Sequence, residues 1–147
     1  QMVDGDSASI GEFCALISSL AEMPIAQNLA ITGSMNQFGE AQPVGGVNEK
    51  IEGFFEACCI KGLSGNQGVV VPQQNVVNLM LNQRVQQACR ENNFSIYPVS
   101  TVTEALQILT GMKAGKPNSR GIFPQNTVFG RVQKRLKSME KGAEKSD

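Results

Sequence analysis

Apolar residues recur along the chain in blocks whose spacing switches between helical and alternating. Ile10, Phe13, Cys14, Ile17 and Leu20 follow the i, i+3, i+4, i+7 rule of a helix with one buried face over residues 9–20, with Pro24 as its stop. Residues 28–32 (NLAIT) read as a short strand, and after a polar stretch over 33–39 the segment 40–44 is its expected hairpin partner, broken by Gly45-Gly46. Val47, Ile51, Phe54, Phe55 and Cys58 predict a second amphipathic helix that ends near Gly62, a natural glycine C-cap. There follow a buried-type strand over 68–71 closed by Pro72, a helix over 76–91, a strand over 94–99 and a helix over 102–109. A Gly-, Pro-, Ser- and Asn-rich connection over 114–126 leads to a short basic helix over 128–140.

Strands alternating with helices predict an α/β domain, a sheet with covering helices, and the hairpin near residue 33 makes that sheet mixed rather than purely parallel. No internal repeat is present. At 147 residues and 41% hydrophobic content the chain has enough apolar surface for one core. Met23, Met80, Phe54, Phe55 and the Cys58-Cys59 pair are expected to fill that core rather than to bind a ligand.

The formal net charge is zero, yet the signs separate along the chain: before Met112 there are 4 basic against 10 acidic residues, and from Met112 onward 9 basic against 3 acidic. The basic tail could meet nucleic acid, an acidic partner or the acidic body of its own oligomer. Its few aromatic residues favour a solvated helix face, so nucleic-acid binding is not predicted. Cys14, Cys58, Cys59 and Cys89 form no CxxC pair and come with no histidine, so zinc-site spacing is absent and no metal site is expected. They read as buried thiols. With no secretory signal ahead of them, and no apolar run near the roughly 20 residues of a membrane span, the expected setting is the reducing cytoplasm.

The absence of histidine is the most restrictive fact for chemistry, because it removes Ser-His-Asp and Cys-His catalysis and imidazole proton shuttles from the chain. A lysine can serve as base instead, provided it is desolvated or near positive dipoles. Lys50 follows the Gly-Gly break in the first turn of a predicted helix, one position before a core Ile, which suits a partly buried amine. The positive dipole of a helix N-terminus destabilises a nearby ammonium. Ser7, in Asp4-Gly5-Asp6-Ser7-Ala8-Ser9, is a candidate nucleophile at a helix start, where backbone N–H groups can face a carbonyl. Taken alone, D-G-D-S is ordinary turn chemistry, and Asp6, Ser7 or Ser9 as a plain N-cap is the more economical reading. A phosphate nest over Gly5 to Ser9 is disfavoured by the flanking carboxylates.

DGDSAS at 4–9, AITGS at 30–34, PVGGVNEKIEG at 43–53 and VVVPQQN at 69–75, in that order, resemble the successive signature blocks of the Lon protease proteolytic domain. The resemblance covers residues 3–111. The reading DGDSAS rather than DGPSAG is similar to the B-type, archaeal-like branch and its bacterial relatives, and Asn48 stands where the other branch commonly has a lysine.

The resemblance implies a fold of the ribosomal protein S5 domain 2-like type with its N-terminal part missing. It divides the chain into residues 1–112, the C-terminal part of a proteolytic domain, and 113–147, a basic extension. It implies a serine endopeptidase acting on polypeptide substrates, with Ser7 as nucleophile and Lys50 as general base, 43 residues apart. Thr32 would orient the lysine amine, and Pro72 and Asn75 match the family's PxxN. Asp4 and Asp6 flank the dyad, and either could pair with Lys50 and hold the site latent, which leaves a catalytically silent assembly or binding module as the alternative.

The family's ring, commonly a hexamer, is implied in the same way. No GxxxxGK[ST] is present, and GMKAGKP at 111–117 has the wrong spacing. No cofactor is therefore expected in this chain, ATP and Mg²⁺ belonging to an ATPase segment elsewhere.

Overall fold

The computed structural model of the chain describes residues 9–145. Its elements are α1 (Ser9–Ala21), β1 (Leu29–Ile31), β2 (Ser34–Met35), β3 (Ala41–Gln42), α2 (Val47–Lys61), β4 (Gly68–Pro72), α3 (Gln83–Arg90), β5 (Ser95–Val99), α4 (Val102–Thr110) and α5 (Val128–Lys145), with a 3₁₀ helix over Gln73–Asn78.

The organising element is β4, whose sequence GVVVP has no polar side chain and is buried throughout, as a strand covered on both faces must be. It lies in the middle of a parallel sheet of order β1-β4-β5. Because side chains alternate across a strand, Val69 and Val71 face a layer made by α2 and α3, where they meet Ile51, Phe55, Val85 and Phe94. Val70 faces the other way, into a layer of α1, α4 and α5 with Ile10, Cys14, Leu106, Val128 and Val132. Each such buried aliphatic side chain contributes about 1.5–3 kcal/mol of transfer free energy. The α/β class is as the sequence predicts.

The pairing differs in two places. Residues 29–31 do not pair with 40–44; they join β4 in parallel, with Leu29, Ala30 and Ile31 opposite Gly68, Val69 and Val70. The antiparallel ladder is a separate two-stranded unit, Ser34 opposite Gln42 and Met35 opposite Ala41. Gly33, at φ +130°, turns the chain from one sheet into the other. The turn is closed by Asn36, whose Oδ1 accepts the N–H groups of Phe38 and Glu40 at 2.9 and 3.0 Å.

The expected helix over 76–91 is broken as well. After the 3₁₀ helix the chain is extended until Asn82, whose side chain caps α3 by accepting the Val85 N–H at 3.0 Å. Polar groups of α2 hold this connection in place: Asn48 accepts the Met80 N–H at 2.8 Å, and Glu52 accepts the Asn82 N–H at 2.7 Å. In consequence Met80, expected in the core, is 83% exposed, while Met23 and Phe55 are buried. The last helix is longer than predicted and carries Val128 and Val132 onto the α1 layer; from Lys134 to Ala143 it is exposed.

Candidate active site at the carboxyl edge of the sheet

β1 and β4 run parallel, and the chain between them returns through α2. The first turn of α2 therefore lies at the carboxyl ends of both strands, the edge at which open α/β sheets place their functional groups. Thr32 ends β1 there. Its N–H donates to the Val70 carbonyl at 2.9 Å, its side chain is buried, and its Oγ1 has no hydrogen-bond partner among the described residues. A buried hydroxyl left unpaired costs about 1–3 kcal/mol, so this position is not explained by stability.

The start of α1 is fastened to the same edge. The Ile10 N–H donates to the Gly33 carbonyl at 3.2 Å, and Ser9 Oγ accepts the Met35 N–H at 3.0 Å. Pro72, the last residue of β4, packs against Gly33 so closely that only a glycine fits. Three residues on, Asn75 is buried and bonds the backbone of Val44 at both its N–H and its carbonyl.

Lys50 occupies the first turn of α2, where its N–H donates to Gly46 O at 3.1 Å. Gly46 is the N-cap, with φ +70° and no side-chain capping bond. The lysine side chain is exposed, where partial burial was expected. The reason is rotational: Val47 and Ile51 take the inward positions of the first turn, and Lys50 falls on its flank. Ser7, Asp4 and Asp6 lie outside the described residues. A groove of about 400 Å³, lined by Glu40, Gln42, Gln73, Gln74 and Ser100, opens beside Ala41 and Val99.

The cysteines take no part in this edge as nucleophiles. Burial pushes the Cys14 thiol up to about 11 and raises those of Cys58 and Cys89, which keeps them protonated near neutral pH. Among the described residues no helix is long and apolar enough to cross a membrane.

The roles of Asn48 and of the Val44–Asn75 pairing are not visible in the residues themselves, because the partners are about thirty positions apart. The asparagines carry no local signal for it beyond their place after a strand or at a helix start.

The arrangement defines an α/β domain that collects a buried threonine, an uncapped helix start bearing a lysine and the beginning of a second helix at one sheet edge. Residues 2–111 match the family model of the Lon protease (S16) C-terminal proteolytic domain, and the chain belongs to that family. It is 54% identical over 110 residues to a Lon protease homolog of Escherichia coli (strain K12), covering 75% of this chain and 19% of that protein. A Lon protease homolog of Haemophilus influenzae (strain ATCC 51907 / DSM 11121 / KW20 / Rd) is 40% identical over 144 residues, 98% of this chain and 24% of that protein. The archaeal Lon protease of Halobacterium salinarum (strain ATCC 700922 / JCM 11081 / NRC-1) is 39% identical over 106 residues, 72% of this chain and 13% of that protein. The chain thus spans less than a quarter of the length of each of these relatives.

Proposed function

We propose that the chain supplies the serine–lysine chemistry of an endopeptidase. Ser7 Oγ attacks the scissile carbonyl and passes its proton to neutral Lys50; backbone amides beside Ser7 hold the oxyanion. The tetrahedral adduct expels the amine, which takes the proton from Lys50, and a water activated by the same lysine then releases the acyl group. The observation that carries this reading is the buried Thr32 hydroxyl without a partner at the edge where α2 begins. A hydroxyl there can accept from, or donate to, the Lys50 amine and hold it in line. Ser7 precedes by two residues the anchored Ser9.

Because Lys50 is exposed in the single chain, the base acts once substrate and a neighbouring subunit exclude water from it. This fits a closed homo-oligomeric ring, a hexamer by family resemblance, that admits unfolded polypeptides in the cytoplasm. ATP and Mg²⁺ serve an ATPase segment elsewhere; residues 111–117 lack the phosphate-cradle spacing.

Hydrolysis of casein or a fluorogenic peptide by the intact protein, beside Ser7→Ala and Lys50→Ala, tests the dyad. Both variants are expected to be inactive, and activity surviving Ser7→Ala refutes it. The same exposure of Lys50 favours a second reading, a site held latent by Asp4 or Asp6. Labelling of Ser7 by a covalent serine-peptidase probe separates the two, since the latent chain stays unlabelled until Asp4→Asn or Asp6→Asn releases the amine.

A further inference from the structure

We propose that Asn75 is a positioning residue for Lys50, acting through the backbone of Val44; the inference rests on the dyad reading above. Asn75 is 5% exposed and spends both ends of its amide on one residue. The Val44 N–H donates to Asn75 Oδ1 at 3.1 Å, and Asn75 Nδ2 donates to the Val44 carbonyl at 2.9 Å. Two antiparallel bonds of this kind fix the orientation of a chain segment as well as its distance, which one bond does not.

What lies beyond Val44 makes the clamp consequential. Gly45 has open space around it and Gly46 sits at φ +70°, so neither is restrained by side-chain packing of its own. The first turn of α2 has no side-chain cap, and Lys50 hangs from Gly46 O by its own N–H. Buried Val47 and the clamp at Val44 hold that turn from its two sides.

Asn75 itself follows Pro72 at the end of β4, the fully buried central strand. Thr32 is tied to the same strand through Val70 O. β4 therefore sets the separation between the Thr32 hydroxyl and the backbone of Lys50, with Asn75 as the link on the lysine side. A displacement of about 1 Å between reacting groups lowers a rate on the order of 100-fold.

The test compares wild type, Asn75→Ala and Asn75→Asp in the intact protein. Ser18→Ala serves as control, because the Ser18 hydroxyl is buried and donates to the Met23 carbonyl at 2.6 Å in the α1 layer. Peptide hydrolysis is followed across pH 6 to 10, and hydrogen exchange is followed over residues 44–51. Asn75→Ala is expected to lower kcat about 10- to 100-fold with KM little changed, to displace the acidic limb of the pH–rate profile, and to speed exchange at 44–51 alone. Asn75→Asp keeps the bond from the Val44 N–H and falls between. Ser18→Ala loses thermal stability and does none of this.

An Asn75→Ala profile that coincides with wild type, or that loses activity only in step with stability as Ser18→Ala does, overturns the proposal. So does unchanged exchange at 44–51, a readout that needs no turnover. The dyad reading fails separately, by persistence of hydrolysis in Ser7→Ala. Should Asn75→Ala not fold by far-ultraviolet circular dichroism, Asn75→Asp decides by the same two readouts.

Discussion

Gly33 and Pro72 meet so closely that a Cβ on the glycine would lie 2.7 Å from Pro72 Cγ and 3.1 Å from Ile10 Cδ1, at a backbone φ of +130°. The contact joins the end of β1, the end of β4 and the start of α1, the three pieces that frame the candidate site.

Gly33→Ala is therefore expected to cost about 2–4 kcal/mol from backbone strain and overpacking together. Urea denaturation reads it as a lowered midpoint at unchanged m. A midpoint equal to wild type contradicts the close packing.

Thr32→Val separates stability from chemistry. It removes the buried unpaired hydroxyl at nearly constant shape, so the folded state gains on the order of 1 kcal/mol. Peptide hydrolysis, on the proposed mechanism, falls at least about tenfold. Loss of both stability and activity shows that Thr32 Oγ1 is satisfied in the working protein by a structural partner.

The raised thiols predict an alkaline weakness. Between pH 9 and 11 the unfolded chain gives up the Cys14 proton while the folded chain keeps it. The unfolded state then binds fewer protons, and stability falls as pH rises, by up to about 2–3 kcal/mol at pH 11. Cys58 and Cys89 act in the same direction. Cys14→Ala is expected to be less stable at pH 8 yet to show a shallower decline from pH 9 to 11, measured by urea midpoints. An unchanged slope in Cys14→Ala assigns the decline elsewhere.

α5 divides into a packed and an unpacked half. Val132→Asp puts a carboxylate into the α1 layer and is expected to cost about 3 kcal/mol or more. Ending the chain after Gln133 removes only exposed residues and the exposed Glu22–Arg135 pair at 3.2 Å, and should change stability by about 0.5 kcal/mol or less. Thermal melts of the two variants read the contrast directly.

The elements built from strong local periodicity were legible in the sequence. Val47, Ile51, Phe55 and Cys58 specify α2 and its Gly62 end without help from the rest of the chain. The run of valines before Pro72 marks a strand buried on both faces. What was not legible depends on distant partners. Nothing in NLAIT distinguishes a hairpin strand from one that joins a parallel sheet at residues 68–70, since both need the same short apolar run. The apolar spacing of Val76, Val77 and Met80 mimics a helix, but Asn48 and Glu52 of α2 capture the backbone of that stretch and leave Val77 and Met80 in solvent. The lysine was found and its environment was not, because a side chain on a helix flank is buried or bare according to what packs beside it.

The three-residue strand β1 has a bearing on how the molecule assembles. It is too short to nucleate anything, and its partner residues lie about forty positions downstream, across the hairpin and all of α2. Pairing it requires closing that loop first, an entropic toll that slows formation of parallel sheets. Thr32 thus reaches its place only when α2 is already docked on β4. A peptidase whose polar edge comes together in the last step of folding has a built-in delay: the nascent polypeptide is harmless to its neighbours until it is finished.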